Sequence, residues 1–312
     1  MRQIPLPAIR RKQSSSTPLQ IEMAGNCVPF LRFPEFDRKG DVRHAFSTRS
    51  GGVSKGVFST MNLSFTRGDS EEAVTENFAR MATALDAQNG DIVCTYQTHT
   101  VNVRAVGRSD RGKGVTRERD YRDVDGIITD EPGVVLACFM ADCVPLLFAD
   151  PAHHAIGAAH AGWRGTVSGM AIKMVQAMQE QYGSEPATLL AAIGPSVCGD
   201  CYEVSEDVAM RARDALWKLP ASKGNERAMC TDVPEEKHSD AVLRPADKEG
   251  KYLLDLHALN RLMLLHAGLQ PQNIFVTDIC TCCNPELLFS HRVQGEARGS
   301  LAAFIRLAED NP

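Results

Sequence analysis

Four nearly unbroken apolar runs crowd the middle of this 312-residue chain, at residues 124–129, 134–140, 144–148 and 155–160. Short runs of this kind read as strands. A strand that is apolar at successive positions must be covered on both faces, because alternate side chains point to opposite sides of a sheet. The chain therefore has to supply further layers. Strands are expected at residues 42–48, 91–96, 100–106, 187–193, 273–277 and 301–306. Helices are expected at 71–85, 167–182, 203–217 and 255–267. Asp69 or Ser70 caps the first helix, Asp255 caps the last, and Gly268 stops it. Residues 162–166 read as a Gly-rich turn and residues 107–123 as a charged surface loop. Strands and helices interleave irregularly, and no GxGxxG follows a strand. The expected class is α/β: a single-domain layered α/β sandwich with mixed sheets, not a dinucleotide fold.

Residues 1–28 read as a disordered polar extension, and residues 29–312 as one domain carrying a polar insertion at 221–251. The acid-free N-terminus also suits a transit peptide, but no apolar periodicity supports an amphipathic helix there. No segment reaches the roughly 20 apolar residues of a membrane span. A formal net charge of −5 offers no basic excess for nucleic acid. Without an export signal a cytoplasmic location is expected, with the 10 cysteines reduced and serving as core fillers or metal ligands.

His99, Cys143 and His160 each end or interrupt an apolar run, where side chains converge above a sheet. Two imidazoles and a thiolate suit zinc, and three protein ligands leave a fourth position open for chemistry. From spacing alone, a hydrogen-bonded structural histidine is the commoner outcome. Asp125 and Asp142 place carboxylates beside this centre; Asp142 is the candidate to orient an imidazole or accept a proton. Arg164, Gly165 and Thr166 lie where a turn enters a helix, a place suited to an anion, although a packing turn plugged by Trp163 fits equally. Arg49, beside Gly51-Gly52, is a second candidate for a phosphate or sugar, against the plainer reading of a surface turn. Cys198-x-x-Cys201 with Cys280-x-Cys282-Cys283 suggests a structural zinc site, though the later cluster is more crowded than a common ribbon.

Several blocks jointly resemble the YfiH-type laccase-domain family, whose members are described as multicopper polyphenol oxidoreductases, purine nucleoside phosphorylases or peptidoglycan editing factors. They include FSTRSGGVS at 46–54, QTH at 97–99, DGIITDEP at 125–132, ADCVPLL at 141–147 and GAAHAGWRGT at 157–166. The resemblance runs from about His44 to the C-terminus. It implies a single-domain layered fold and a metal site at His99, Cys143 and His160, with Arg49 and Arg164 near the pocket. The chain departs from the family at Thr100, where Gly is usual, at Ser290-His291-Arg292 in place of Ser-Tyr-Arg, and at Cys282 in place of Tyr.

Four activities follow as expectations. The first is a zinc-dependent purine nucleoside enzyme, carrying out phosphorolysis of adenosine or inosine and deamination of adenosine, with nucleoside and phosphate as its small-molecule partners. The second is a copper-dependent phenol oxidase. Nine histidines with no His-x-His pair argue against several coppers, though one copper would suit the same donors. The third is a cysteine- or zinc-dependent amidase acting on peptidoglycan precursors, with Cys143 and His160 as a nucleophilic pair. The fourth is a non-catalytic zinc- or nucleoside-binding protein.

Overall fold

The computed structural model describes residues 7–12, 18–219 and 241–308. Fifteen strands form three sheets among these residues. The first sheet runs in the order β1 (Gln20–Met23), β2 (Pro29–Arg32), β3 (Val42–Ser47), β15 (Leu301–Leu307), β7 (Val135–Met140) and β4 (Ile92–Cys94). The second runs β14 (Ile274–Val276), β10 (Leu190–Ile193), β8 (Val144–Asp150), β9 (Ala155–Ala161), β6 (Gly126–Thr129) and β5 (Val103–Ala105). Only the pairs β4–β7, β5–β6 and β10–β14 are parallel. A small antiparallel sheet holds β11 (Glu203–Ser205), β13 (Lys251–Leu254) and β12 (Leu243–Pro245).

The two large sheets pack face to face, and helices cover their outer faces. On β7, Leu136, Cys138 and Met140 point into the space between the sheets, beside Leu147, Ala158 and Ile305. Val135 and Ala137 point the other way, against Val74, Phe78 and Met81 of helix α2 (Glu71–Ala84). On β8, Leu146 and Phe148 meet Met170, Met174 and Met178 of α4 (Met170–Tyr182) and Leu259 of α6 (Leu256–His266). Both faces of the central strands are thus apolar, and each fully buried Leu or Phe contributes about 1.5–3 kcal/mol. The chain is a single-domain layered α/β sandwich with mixed sheets, as its apolar runs require. Ser70 and Asp255 cap α2 and α6 by accepting from the amides of Ala73 and Ala258.

Four local readings are corrected. Gln20–Met23, placed in the disordered extension, is an edge strand paired with Pro29–Arg32; residues 1–6 and 13–17 lie outside the described residues. The turn expected at 162–166 is largely a short helix, α3 (Trp163–Val167), because its Ala161–Gly162 approach leaves only Gly162 extended as the N-cap. The helix expected from residue 203 starts at Glu206 (α5, Glu206–Trp217), since residues 203–205 pair with Lys251–Leu254. The polar insertion carries two strands, Leu243–Pro245 and the start of Lys251–Leu254, while 220–240 lie outside the described residues.

Gly194, at the end of β10, has no room for a side chain: an added Cβ would lie 2.2 Å from Cε1 of the fully buried Phe46 ring. Gly194→Ala should therefore destabilise the protein by about 1–3 kcal/mol through overpacking. Urea unfolding measures this, and an unchanged midpoint would show that the aromatic core yields freely.

Candidate metal centre

A cavity of about 770 Å³ opens over the ends of the strands, and His99, Cys143 and His160 all line it. His160 comes from the end of β9 and is buried. Cys143 immediately precedes β8, and β8 pairs antiparallel with β9, so the two meet across one ladder. His99 sits in the loop between β4 and β5, exposed at the cavity mouth, with a left-handed φ of 67°. Non-glycine residues reach that conformation rarely and persist there when their surroundings fix them. Here the surroundings are Asp125. One of its carboxylate oxygens accepts from the His99 amide (3.1 Å) and His160 Nδ1 (2.8 Å). The other accepts from the amides of Thr98 and Thr100 and the Thr100 hydroxyl, each at 3.0 Å.

That network fixes the His160 tautomer. With Nδ1 occupied by Asp125, Nε2 is the nitrogen left to serve as a ligand atom, on the side where the Cys143 sulfur lies. The His99 and His160 rings stack at 4.9 Å between centroids, 24° apart. The ring nitrogens of His99 and His160 and an Asp125 oxygen lie within 4.8 Å of one another. Asp125, however, spends both oxygens on hydrogen bonds behind the imidazoles, so it acts as their orienting carboxylate rather than a third ligand. Among the described residues Cys143 belongs to no group of donors mutually within 4.8 Å, but its sulfur lies beside His160: a Cβ added at Gly162 would be 3.0 Å from that sulfur and 3.6 Å from His160 Nε2.

The two histidines differ in their electrostatics. Burial works to lower the His160 pKa, but the Cys143 sulfur and the Asp125 carboxylate outweigh it and raise it to about 9. Burial and the charge of His160 lower that of His99. Burial opposes ionisation of Asp125, yet the His160 ring and the amides hold its pKa below the usual carboxylate range. Two imidazoles and a sulfur are, by their chemistry, a donor set that fits a borderline-soft metal ion.

The other candidates divide. Arg164 lines the cavity, its guanidinium 4.4 Å from the Trp163 ring. Asp142 lines it too, but does not orient an imidazole. Its carboxylate accepts from Thr281 Oγ1 and the Arg292 amide, each at 2.6 Å, and holds the left-handed backbone (φ 88°) that delivers Cys143. Arg49, Gly165 and Thr166 are not among the lining residues. Arg49 donates to the carbonyls of Ser59 and Pro285 and packs over Phe289, clamping a loop. Thr166 is buried, donating to Ala161 O and accepting from Asn260. Gly165 packs against the carbonyls of His160 and Thr100. Sequence reasoning missed Arg67, Arg119, Arg292 and Arg298, which bring four more arginines to the cavity lining from distant segments. Arg298 is buried, with its pKa lowered by burial and by Arg67, and its Nε has no hydrogen-bond partner among the described residues.

Residues 43–308 match the model of the multi-copper polyphenol oxidoreductase laccase family. The purine nucleoside phosphorylase YlmD of Bacillus subtilis is 36% identical over 273 residues, covering 86% of this chain and 90% of that protein. The adenosine deaminase RL5 of an unknown prokaryotic organism is 31% identical over 264 residues, covering 84% of this chain and 92% of its own. The crystal structure of the Bacillus licheniformis hypothetical protein YfiH superposes with a TM-score of 0.79 at 33% identity, covering 92% of this chain and 98% of that one. The chain belongs to this laccase-domain family, of the YfiH and YlmD type.

Asp125→Asn would turn an amide NH₂ towards the N–H donors of the 98–100 loop. Metal affinity of the site should fall about 10–100-fold, measured by competition with a chelator of known affinity. Unchanged affinity would remove Asp125 from the site.

Proposed function

We propose that the chain is a zinc-dependent purine nucleoside enzyme, carrying out phosphorolysis of adenosine and inosine and deamination of adenosine. One observation carries this reading: the two imidazoles and the thiol share a cavity with the guanidiniums of Arg67, Arg119, Arg164 and Arg298. Relatives named for nucleoside phosphorolysis and for adenosine deamination support it. His99, Cys143 and His160 hold the ion, and zinc bound there supplies Lewis acidity that makes water reactive near neutral pH.

The chain's own residues do the rest. Asp125 keeps His160 in the ligating tautomer. Asp142 fixes the backbone that presents Cys143. A phosphate dianion matches the guanidinium wall, where Arg offers fork-shaped donors. Arg298 also lines the cavity. Phosphate held there can be aimed at C1′ of a bound nucleoside, with the purine as leaving group. A multicopper centre is disfavoured because, among the described residues, one histidine-bearing group forms, with two imidazoles, whereas a multicopper oxidase needs many more.

A second reading has its own observation. The Cys143–His160 contact also suits a metal-free thiolate–imidazole pair, which would attack an amide such as one in a peptidoglycan precursor. Chelation separates the two readings, since it abolishes the first activity and spares the second.

Incubation with adenosine and phosphate, with products resolved by chromatography, tests the main reading. Adenine with ribose 1-phosphate reports phosphorolysis; inosine reports deamination. Cys143→Ala should lose most metal and both activities while the fold survives. Neither product from metal-replete protein would refute the proposal. Arg298→Gln should raise the phosphate KM about tenfold or more, by loss of charge-assisted hydrogen bonding worth about 1.5–3 kcal/mol, and an unchanged KM would place phosphate elsewhere.

A further inference from the structure

Two cysteine pairs stand apart from the cavity chemistry. Cys198 and Cys201 follow β10, and Cys280 and Cys283 follow β14. Those strands are parallel neighbours, in register at Ala191 and Ile274, so both chains leave the sheet at the same end. They stay together beyond it. The Thr277 amide donates to Ile193 O, Ser196 bridges Cys280, and the Thr281 amide donates to Ser196 O. The two Cys-x-x-Cys turns therefore arrive side by side.

All four sulfurs lie within 4.8 Å of one another. Cys201 and Cys283 sulfurs are 3.4 Å apart. A tetrahedral zinc tetrathiolate, with Zn–S of about 2.3 Å, has sulfur–sulfur edges of about 3.8 Å. The amides of Cys198 and Cys283 donate to Cys280 Sγ at 3.2 and 3.4 Å. Such N–H···S bonds, together with the nearby Lys12 ammonium, offset the surplus negative charge of four thiolates. Cys94 and Cys138, by contrast, are dispersed in the apolar core as packing residues. Cys282 is outside the group, so the crowded Cys-Thr-Cys-Cys block resolves into a regular Cys-x-x-Cys with one bystander.

We propose that Cys198, Cys201, Cys280 and Cys283 bind a second zinc ion in a closed structural site. It fastens the two loops behind the cavity. Thr281, between the ligands of one loop, donates to Asp142; the amide of Val197, next to Cys198, donates to the Asp142 carbonyl at 3.0 Å. Asp142 in turn delivers Cys143. The second ion thus positions the thiol of the first site without touching it.

The full-length protein, purified without chelators, should hold about two zinc ions per chain by elemental analysis. The His99→Ala/His160→Ala variant should retain about one, and the Cys198→Ser/Cys283→Ser variant should lose about one. If the cysteine variant fails to fold, the histidine variant still decides: a retained zinc supports the site, and none overturns it. Iron in place of zinc, or two disulfides by mass spectrometry under non-reducing conditions, would also overturn it. These counts are independent of whether any nucleoside is turned over.

Discussion

The buried carboxylate of Asp125 is where fold and site become one structure. It sits at the start of β6, next to β9, and its two oxygens accept from five donors that belong to the 98–100 loop and to His160. A charge placed so deeply is costly unless it is fully hydrogen-bonded. The loop therefore has to close on it, which forces His99 into its left-handed backbone. The same bonds stack the two imidazoles and choose which nitrogen of His160 faces outward. Loss of this one acceptor would leave three amides and a ring nitrogen unsatisfied, so ligand geometry and loop stability cannot be varied separately.

The sheet order explains why the donors meet although they are distant in the chain. β8 and β9 are long central strands joined by a tight connection, and their antiparallel pairing puts Val144 opposite Ala161. Cys143 and His160 are thereby neighbours by register alone. β6 flanks β9 on its other side and contributes Asp125, with the His160 amide donating to its carbonyl at 2.9 Å. The small residues Gly157, Ala159 and Ala161 let α4 approach this sheet closely: a Cβ at Gly157 would be 2.7 Å from Met174 Cε.

Much of this was legible because it obeys local rules. The central strands show as apolar runs since both their faces are buried, and the two long helices with Ser70 and Asp255 caps announce their starts. The short elements were not legible. Residues 203–205, 243–245 and 251–254 form a peripheral sheet whose strands have three or four residues and mixed burial, too brief for a period to register. The expectation of His99, Cys143 and His160 as a ligand triad came through the family resemblance, not through spacing. Arg49 drew attention for its charge beside a glycine pair, yet its guanidinium is consumed by carbonyls and a ring face. Arg67, Arg119 and Arg298 carry no local signal, because only the closing of separate loops around the cavity gives them a common target.

Asp142 shows how such long-range constraints combine. Its side chain is held by Thr281 and by the Arg292 amide, and its carbonyl by Val197, so three loops converge on one residue. The thiol of Cys143 follows directly in the chain. Its direction is inherited from Asp142, whose strained φ is tolerable only while those partners stay in place. Arg292 also reaches the carbonyl of Glu203 and packs over Tyr202, another residue of the cavity lining. This part of the cavity lining is therefore one connected body. A change in the cysteine-bearing loops would reach Cys143 through hydrogen bonds already present, with no need for the sheets themselves to move.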